Sequence, residues 1–377
     1  MEDNGREFEV RALALARSIH DPLGLQGPTM ILGRERDGVF VGDQNIHVFE
    51  FTTWAEKKKA QKDARKIVEA LEFLSREPAN RFRSLTGWFV TQREPTAEQA
   101  DAVRQISASA RMTIHCVSYL TLRKQLCDVE GYISAREASP FGSMAYTKQL
   151  QGPGVEPEFK RTREVLGVRD VVSKMVGSGG RYIAVGEFGV GKSYAARALF
   201  RELRKRHFKR PEEHPFPIHV NLRECAGLKT PAEILRRHAE EIGFIGDRGL
   251  ISAWRAGTAA LVLDGFDEII PARWLGTATS LPAVRWDALS PVRRLIQEAP
   301  EGTPVFVTGR GHYFNSETEL KAALGMSDAD VLTLSDFDSH QAETFLKNNG
   351  APPELPDWLP TRRSFCPISC LSVCSKK

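Results

Sequence analysis

The chain has 377 residues, 41% of them hydrophobic and 27% charged, with a formal net charge of +4 and a pI near 8.7. That composition excludes a disordered chain, which would bury too little apolar surface to fold, and the length points to two or three domains. No run of about 18 apolar residues occurs, which excludes a helical membrane span, and the polar start Met1-Glu2-Asp3-Asn4 is unlike a secretory signal, so a cytoplasmic location without a membrane partner is expected.

The elements follow in chain order. A helical mix of apolar residues predicts a helix over 7–19. Residues 29–32 and 38–41 read as short strands, Gly42-Asp43-Gln44 as a turn, and 46–52 as an alternating strand. Residues 54–74 form a long basic helix in this reading, 87–91 an apolar strand, and 96–108 a helix with Pro95 and Thr96 as its start signal. A strand over 112–117 and a helix over 119–127 complete an α/β sandwich, residues 1–130. Residues 131–160 read as a linker, because Pro140-Phe141-Gly142-Ser143 and Gly152-Pro153-Gly154 are loop chemistry. Beyond them come a helix over 161–176, a strand over 182–185 and a helix over 192–206. Strands follow over 217–222, 259–263, 304–308 and 331–334, with helices between. That alternation predicts a doubly wound parallel sheet over 161–335.

Three blocks in this second region carry phosphate chemistry. Gly186-Glu187-Phe188-Gly189-Val190-Gly191-Lys192-Ser193 fits G-x-x-x-x-G-K-[ST] between a strand and a helix. Its glycines let successive N–H groups turn inward on phosphate oxygens, and the helix start adds positive potential. Lys192 would reach the β- and γ-phosphates, and the Ser193 hydroxyl would coordinate Mg²⁺. Leu261-Val262-Leu263-Asp264 is an apolar strand ending in the acid that would hold Mg²⁺ through water. Just beyond, either Asp267 or Glu268 would polarise the attacking water; the residues do not choose between them. Val305-Phe306-Val307-Thr308-Gly309-Arg310 ends at the same sheet edge, where Arg310 would sense the γ-phosphate or stabilise transition-state charge.

In the first region Glu9, Asp37 and Glu50 stand at suggestive places. Carboxylates at the start of one strand and within its hairpin partner, here Asp37 and Glu50, can hold Mg²⁺ against a phosphodiester. A lysine two residues after the second acid normally completes such a site. Thr52 stands there, while Lys57, Lys58, Lys59, Lys62 and Lys66 crowd the next helix. That basic helix also suits a phosphate backbone without cleavage. His20, His47, His115 and His219 make no metal spacing. Cys116, Cys127 and Cys225 read as buried thiols, and Cys366, Cys370 and Cys374 lack the paired spacing of a zinc site. Trp254, Trp274 and Trp286 read as packing residues.

Asp264-Gly265-Phe266-Asp267-Glu268 resembles the D-G-h-D-E acidic motif (h apolar) of NACHT proteins, a branch of the STAND signal-transduction NTPases. Thr308-Gly309-Arg310 is similar to that family's sensor strand. Ser335-Asp336-Phe337-Asp338, followed by a helix ending near Leu346, resembles the start of its small helical domain, 336–363, and Trp358-Leu359-Pro360-Thr361-Arg362 a later part of it. The resemblance covers 164–362. It implies an ATP/ADP-gated, Mg²⁺-dependent switch, closed with ADP, homo-oligomeric with ATP, and slow in turnover.

Gly5-Arg6-Glu7-Phe8-Glu9, with Asp37 and Glu50, resembles the restriction-endonuclease-like fold in the Mrr-like form found ahead of some bacterial NACHT modules. This implies a nuclease effector acting on DNA in antiviral defence. Thr52 departs from that pattern and favours a second reading, a non-catalytic scaffold for nucleic acid or protein. Family members carry a long sensor after the helical domain, so the Cys- and Ser-rich tail, 364–377, is expected to be a truncated or frameshifted end, or that of a fragment.

Overall fold

The computed structural model describes residues 2–21, 25–142, 155–162, 164–269, 281–335, 341 and 343–344. The sequence features at 152–154, Trp274, 336–338, 358–362 and the three terminal cysteines lie outside the described residues. The chain divides into two compact units. One comprises Met1–Val129, Pro211–Glu213 and Arg248–Thr258; the other comprises Glu130–Arg210, His214–Asp247 and Ala259–Lys377.

The first unit runs α1 (Glu2–His20), β1 (Gly27–Ile31), β2 (Arg34–Val41), β3 (Asn45–Thr52), α2 (Lys57–Arg76), β4 (Ser84–Thr91), α3 (Ala97–Ala110), β5 (Thr113–Ser118) and α4 (Tyr119–Lys124). The strands form one sheet in that order, antiparallel through β3 and parallel from β3 to β5. A two-residue turn joins β1 to β2, with Leu32 and Gly33 both at positive φ, the geometry that matches the twist of a hairpin. The parallel pairs need crossovers, which α2 and α3 supply. Strand period two sorts β3 into two faces. Ile46 and Val48 pack with Ala60, Ala64, Ile67 and Leu71 of α2. Phe49 points the other way and stacks on Trp88, with its ring centroid 5.4 Å from that of His20 on α1. The helix expected from residue 54 starts at Lys57, and the one expected over 119–127 stops at Lys124.

The second unit begins with α5 (Val129–Ala138), β6 (Glu158–Arg161), β7 (Glu164–Gly167), α6 (Val168–Ser178), β8 (Arg181–Val185), α7 (Lys192–Lys209), β9 (Phe216–Asn221) and α8 (Pro231–Glu241). Next in the chain is α9 (Asp247–Arg255), which falls in the first unit but for its first residue. The second unit continues with β10 (Ala259–Asp264), α10 (Phe266–Ile269), α11 (Leu281–Ala288), α12 (Ser290–Gln297), β11 (Val305–Gly309), α13 (Glu317–Leu324) and β12 (Asp330–Leu334). Strands β12-β8-β11-β10-β9 are parallel neighbours. The hairpin β7-β6 extends this sheet antiparallel on β12.

Two expectations change here. The helix expected over 161–176 begins only at Val168, because the residues before it pair as strands. Phe159 sits opposite Leu166 and Leu334, and all three are buried in the core of this unit, a non-local gain that overrides the local helical pattern. The stretch read as linker, 131–160, opens within a helix, α5, held by buried Tyr132, Ile133 and Arg136. Among the described residues no helix is long and apolar enough to cross a membrane.

Candidate functional site

In the second unit, β8 delivers the chain to Gly186, and α7 starts at Lys192. Between them Gly189 and Gly191 have φ of 84° and 99°, a region that L side chains rarely adopt. A Cβ on Gly186 would lie 2.6 Å from Val190 Cγ1, so the loop closes on itself only with glycine there. The sheet order then does the assembling. Val185 is opposite Gly309 and Asp264 is opposite Thr308, so the phosphate loop, the acidic motif and the Arg310 turn converge on one sheet edge.

Lys192 Nζ donates to the carbonyls of Gly186 (3.0 Å) and Glu187 (2.9 Å), bent over the loop whose phosphate it would bind. Burial lowers its pKa, and Asp267 opposes that. Asp264 is 4% exposed. Its Oδ1 accepts the Thr308 hydroxyl at 2.5 Å, and the Gly265 N–H donates to that hydroxyl at 3.2 Å. Asp264 Oδ2 is buried without a full hydrogen bond beside the Ser193 hydroxyl, and burial raises the carboxyl's pKa against the pull of Thr308 and Ser193. A buried carboxylate oxygen left open next to a serine hydroxyl fits a hard divalent cation. Ser193 would hold Mg²⁺ directly and Asp264 through water, where the cation would neutralise phosphate charge.

Asp267 is engaged by Arg310 twice, through the backbone N–H (3.1 Å) and Nε. That bond holds the Arg310 guanidinium charged, and the ring of Tyr313 lies 5.0 Å from it. Glu268 faces solvent, its pKa raised by burial and then by Asp264 and Asp267. Sequence reasoning missed Asn221, which ends β9 opposite Asp264. It also read Thr308 as a polar strand end in the sensor-like block rather than as the group that orients Asp264.

A glycine-rich loop with its lysine, a buried acid beside the loop serine and an arginine at the next strand end define a P-loop NTPase site. Residues 181–350 match the family of the NACHT domain. That stretch is thus similar to the nucleotide-binding NTPase modules of this family. No curated protein matches the chain.

In the first unit the period of β3 turns Glu50 and Thr52 to the α2 face. Lys66 of α2 meets Glu50 Oε2 at 2.7 Å and Asp63 at 3.6 Å, and Lys59 pairs with Asp63 at 3.1 Å. Asp37 Oδ2 accepts the Phe51 N–H at 2.7 Å. Exposed Glu9 feels the charges of Asp37, Asp63, Lys59 and Lys66. Burial and then Asp37 push Glu50 up to about 7, against Lys66. Burial works against the Lys66 charge, but the Glu50 bond with Asp63 and Asp37 raises its pKa. Thr52 is occupied structurally: its hydroxyl accepts the Trp54 N–H at 3.1 Å. Sequence reasoning named Lys66 among five lysines and missed Asp63.

Among the described residues no group of three or more His, Cys, Asp or Glu side chains is arranged to hold a metal ion. For a cation this leaves the Asp37–Glu50 pair, with Glu50 Oε1 buried and unpartnered. His20, His47 and His115 gather around Trp88 as packing rings, and burial lowers His20 to about 3. Cys127 and Cys225 are buried free thiols, and Trp254 is core. Trp286 is not: it is 46% exposed under the Arg293 guanidinium.

Proposed function

We propose that the chain is an ATP-gated switch in which the NACHT module controls the first unit as a nuclease-like effector on DNA. The closed form holds ADP, ATP permits homo-oligomerisation, and the setting is bacterial antiviral defence. The observation that carries the effector half is the Glu50–Lys66 pair. It puts an ammonium group beside the acid whose usual lysine partner, two residues on, is replaced by Thr52. In this reading Asp37 and Glu50 bind Mg²⁺, Lys66 steadies the attacked phosphate, and Glu9 on the rim tunes the field. In the NTPase site Lys192 and the loop N–H groups orient the phosphates. Glu268 positions the water, because Asp267 is committed to Arg310.

The second reading, a non-catalytic scaffold, is favoured by the same cluster's lack of a third metal-binding carboxylate. Plasmid cleavage with Mn²⁺ or Mg²⁺ and ATP separates the two. The switch reading expects cleavage that is lost in Asp37→Ala, Glu50→Ala and Lys66→Ala. No cleavage from a preparation that still binds nucleotide, paired with DNA retention in a gel-shift assay, would replace it with the scaffold.

A further inference from the structure

The turn after α5 fills the cation corner of the nucleotide site. Tyr132 and Arg136, one turn apart on α5, are both fully buried. The Tyr132 hydroxyl accepts the His219 N–H at 3.0 Å and bonds His238 Nε2 at 3.0 Å. Arg136 donates to His219 Nδ1 at 3.2 Å and to the Pro140 carbonyl at 2.6 Å. Its guanidinium lies 4.0 Å from the centroid of the Phe141 ring, and its Nη1 is buried with no hydrogen-bond partner. The Phe141 ring in turn is seated against Phe200 and His219.

These anchors deliver Gly142 to a defined spot. Its N–H donates to Asn221 Oδ1 at 2.7 Å, and Asn221 Nδ2 returns a bond to the Pro140 carbonyl at 3.2 Å. The φ of Gly142 is +58°, and a Cβ there would lie 2.2 Å from Ser193 Oγ and 2.6 Å from Asp264 Oδ2. Those are the two oxygens assigned to Mg²⁺. An octahedral Mg²⁺ needs ligands at about 2.0–2.1 Å on all sides and keeps several waters. The backbone of Gly142 stands where part of that shell must go. The unpaired Arg136 charge, close enough to Asp264 to interact with it, supplies positive potential from the same segment.

We propose that the segment 130–142 is a built-in plug of the magnesium corner, so that its seating and Mg²⁺-nucleotide loading exclude each other. The inference rests on the assignment of Ser193 and Asp264 to Mg²⁺. Linkage makes the exclusion reciprocal: a seated plug weakens the Mg²⁺ dependence of nucleotide binding, and Mg²⁺-nucleotide unseats the plug. Because α5 directly continues the chain of the first unit, release of the plug is a covalent route from nucleotide state to that unit.

Hydrogen exchange of the full chain tests this, read on peptides spanning 130–142, with a non-hydrolysable ATP analogue in EDTA or in Mg²⁺. The wild type should be protected in EDTA and exchange about tenfold faster or more in Mg²⁺, the signature of local opening. Gly142→Ala should exchange fast in both, and its affinity for a fluorescent ADP should gain a Mg²⁺ dependence about tenfold larger than that of the wild type. Asn221→Ala removes an anchor without adding bulk and should shift both readouts the same way. Unchanged or greater protection in Mg²⁺, in a chain that binds the analogue, overturns the plug. Failure to bind the analogue at all overturns the nucleotide site instead.

Discussion

In the proposed site Lys192 would concentrate the phosphate interaction, since it is the one cationic side chain of the loop 186–193. Lys192→Ala should weaken binding of a fluorescent ATP analogue by about 100-fold or more, and unchanged affinity would remove the assignment. The two acids after Asp264 should separate by kinetics. Glu268→Gln should slow hydrolysis by roughly 100-fold while nucleotide affinity stays. Asp267→Asn should instead disturb both, because Arg310 loses its anchor; the reverse pattern would exchange their roles. Glu50 makes a pH prediction. Its carboxyl is raised from 4.5 to about 7 in the fold, so the folded state binds the proton more tightly than the unfolded chain. That contribution is fully present below pH 4.5 and is lost as pH rises through 7. Thermal unfolding at pH 8 in EDTA should therefore find Glu50→Gln more stable than the wild type, by roughly 1–3 kcal/mol, with the gap closed at pH 5. An equal gap at both values would mean that the shift is not there.

Helix α3 shows how well an element can be read in advance. Pro95 and Thr96 mark its start, and the Thr96 hydroxyl accepts the Gln99 N–H while the Gln99 side chain answers the Thr96 N–H. Thr96→Ala should cost about 1 kcal/mol in denaturant unfolding, and a change near zero would mean that the cap contributes nothing. The strands β3, β4, β8 and β10 were equally legible, because apolar alternation or a short apolar run bounded by turn residues leaves few alternatives. The hairpin β6-β7 was not. Residues 158–160 were read as linker and 164–167 as the start of a helix, and only the pairing of β6 with β12 and of β7 with β6 makes them strands. Helix α5 was hidden for a different reason. Its buried face is built on Tyr132 and Arg136, and a charged residue in a burial position breaks the apolar period on which the reading depends.

The division into two compact units predicts two unfolding steps. A Mg²⁺-nucleotide at about 100 times its dissociation constant should raise the stability of the second unit by about 2.7 kcal/mol and leave the first step in place. Calorimetry of the wild type beside Lys192→Ala checks this, since the variant should lose the shift. A single transition that moves as a whole with nucleotide would show that the units unfold as one.

The sequence by itself determined where the phosphate loop lies and how its backbone turns between β8 and α7. Glycines at positive φ, a lysine and a serine in fixed order are local requirements of backbone geometry, and the strand before and helix after can be read from short windows. It likewise determined which acids and which arginine follow the later strands. It did not determine which atoms meet. That Asp267 holds Arg310 and leaves Glu268 facing solvent follows from β10 lying beside β11. That Lys66 rather than its four neighbours reaches Glu50 follows from the rotation of α2 over the sheet. That Gly142 sits against Ser193 and Asp264 follows from a helix docked far away in sequence. Local pattern fixes what a residue can do, and long-range packing, which no window of neighbours contains, decides what it faces.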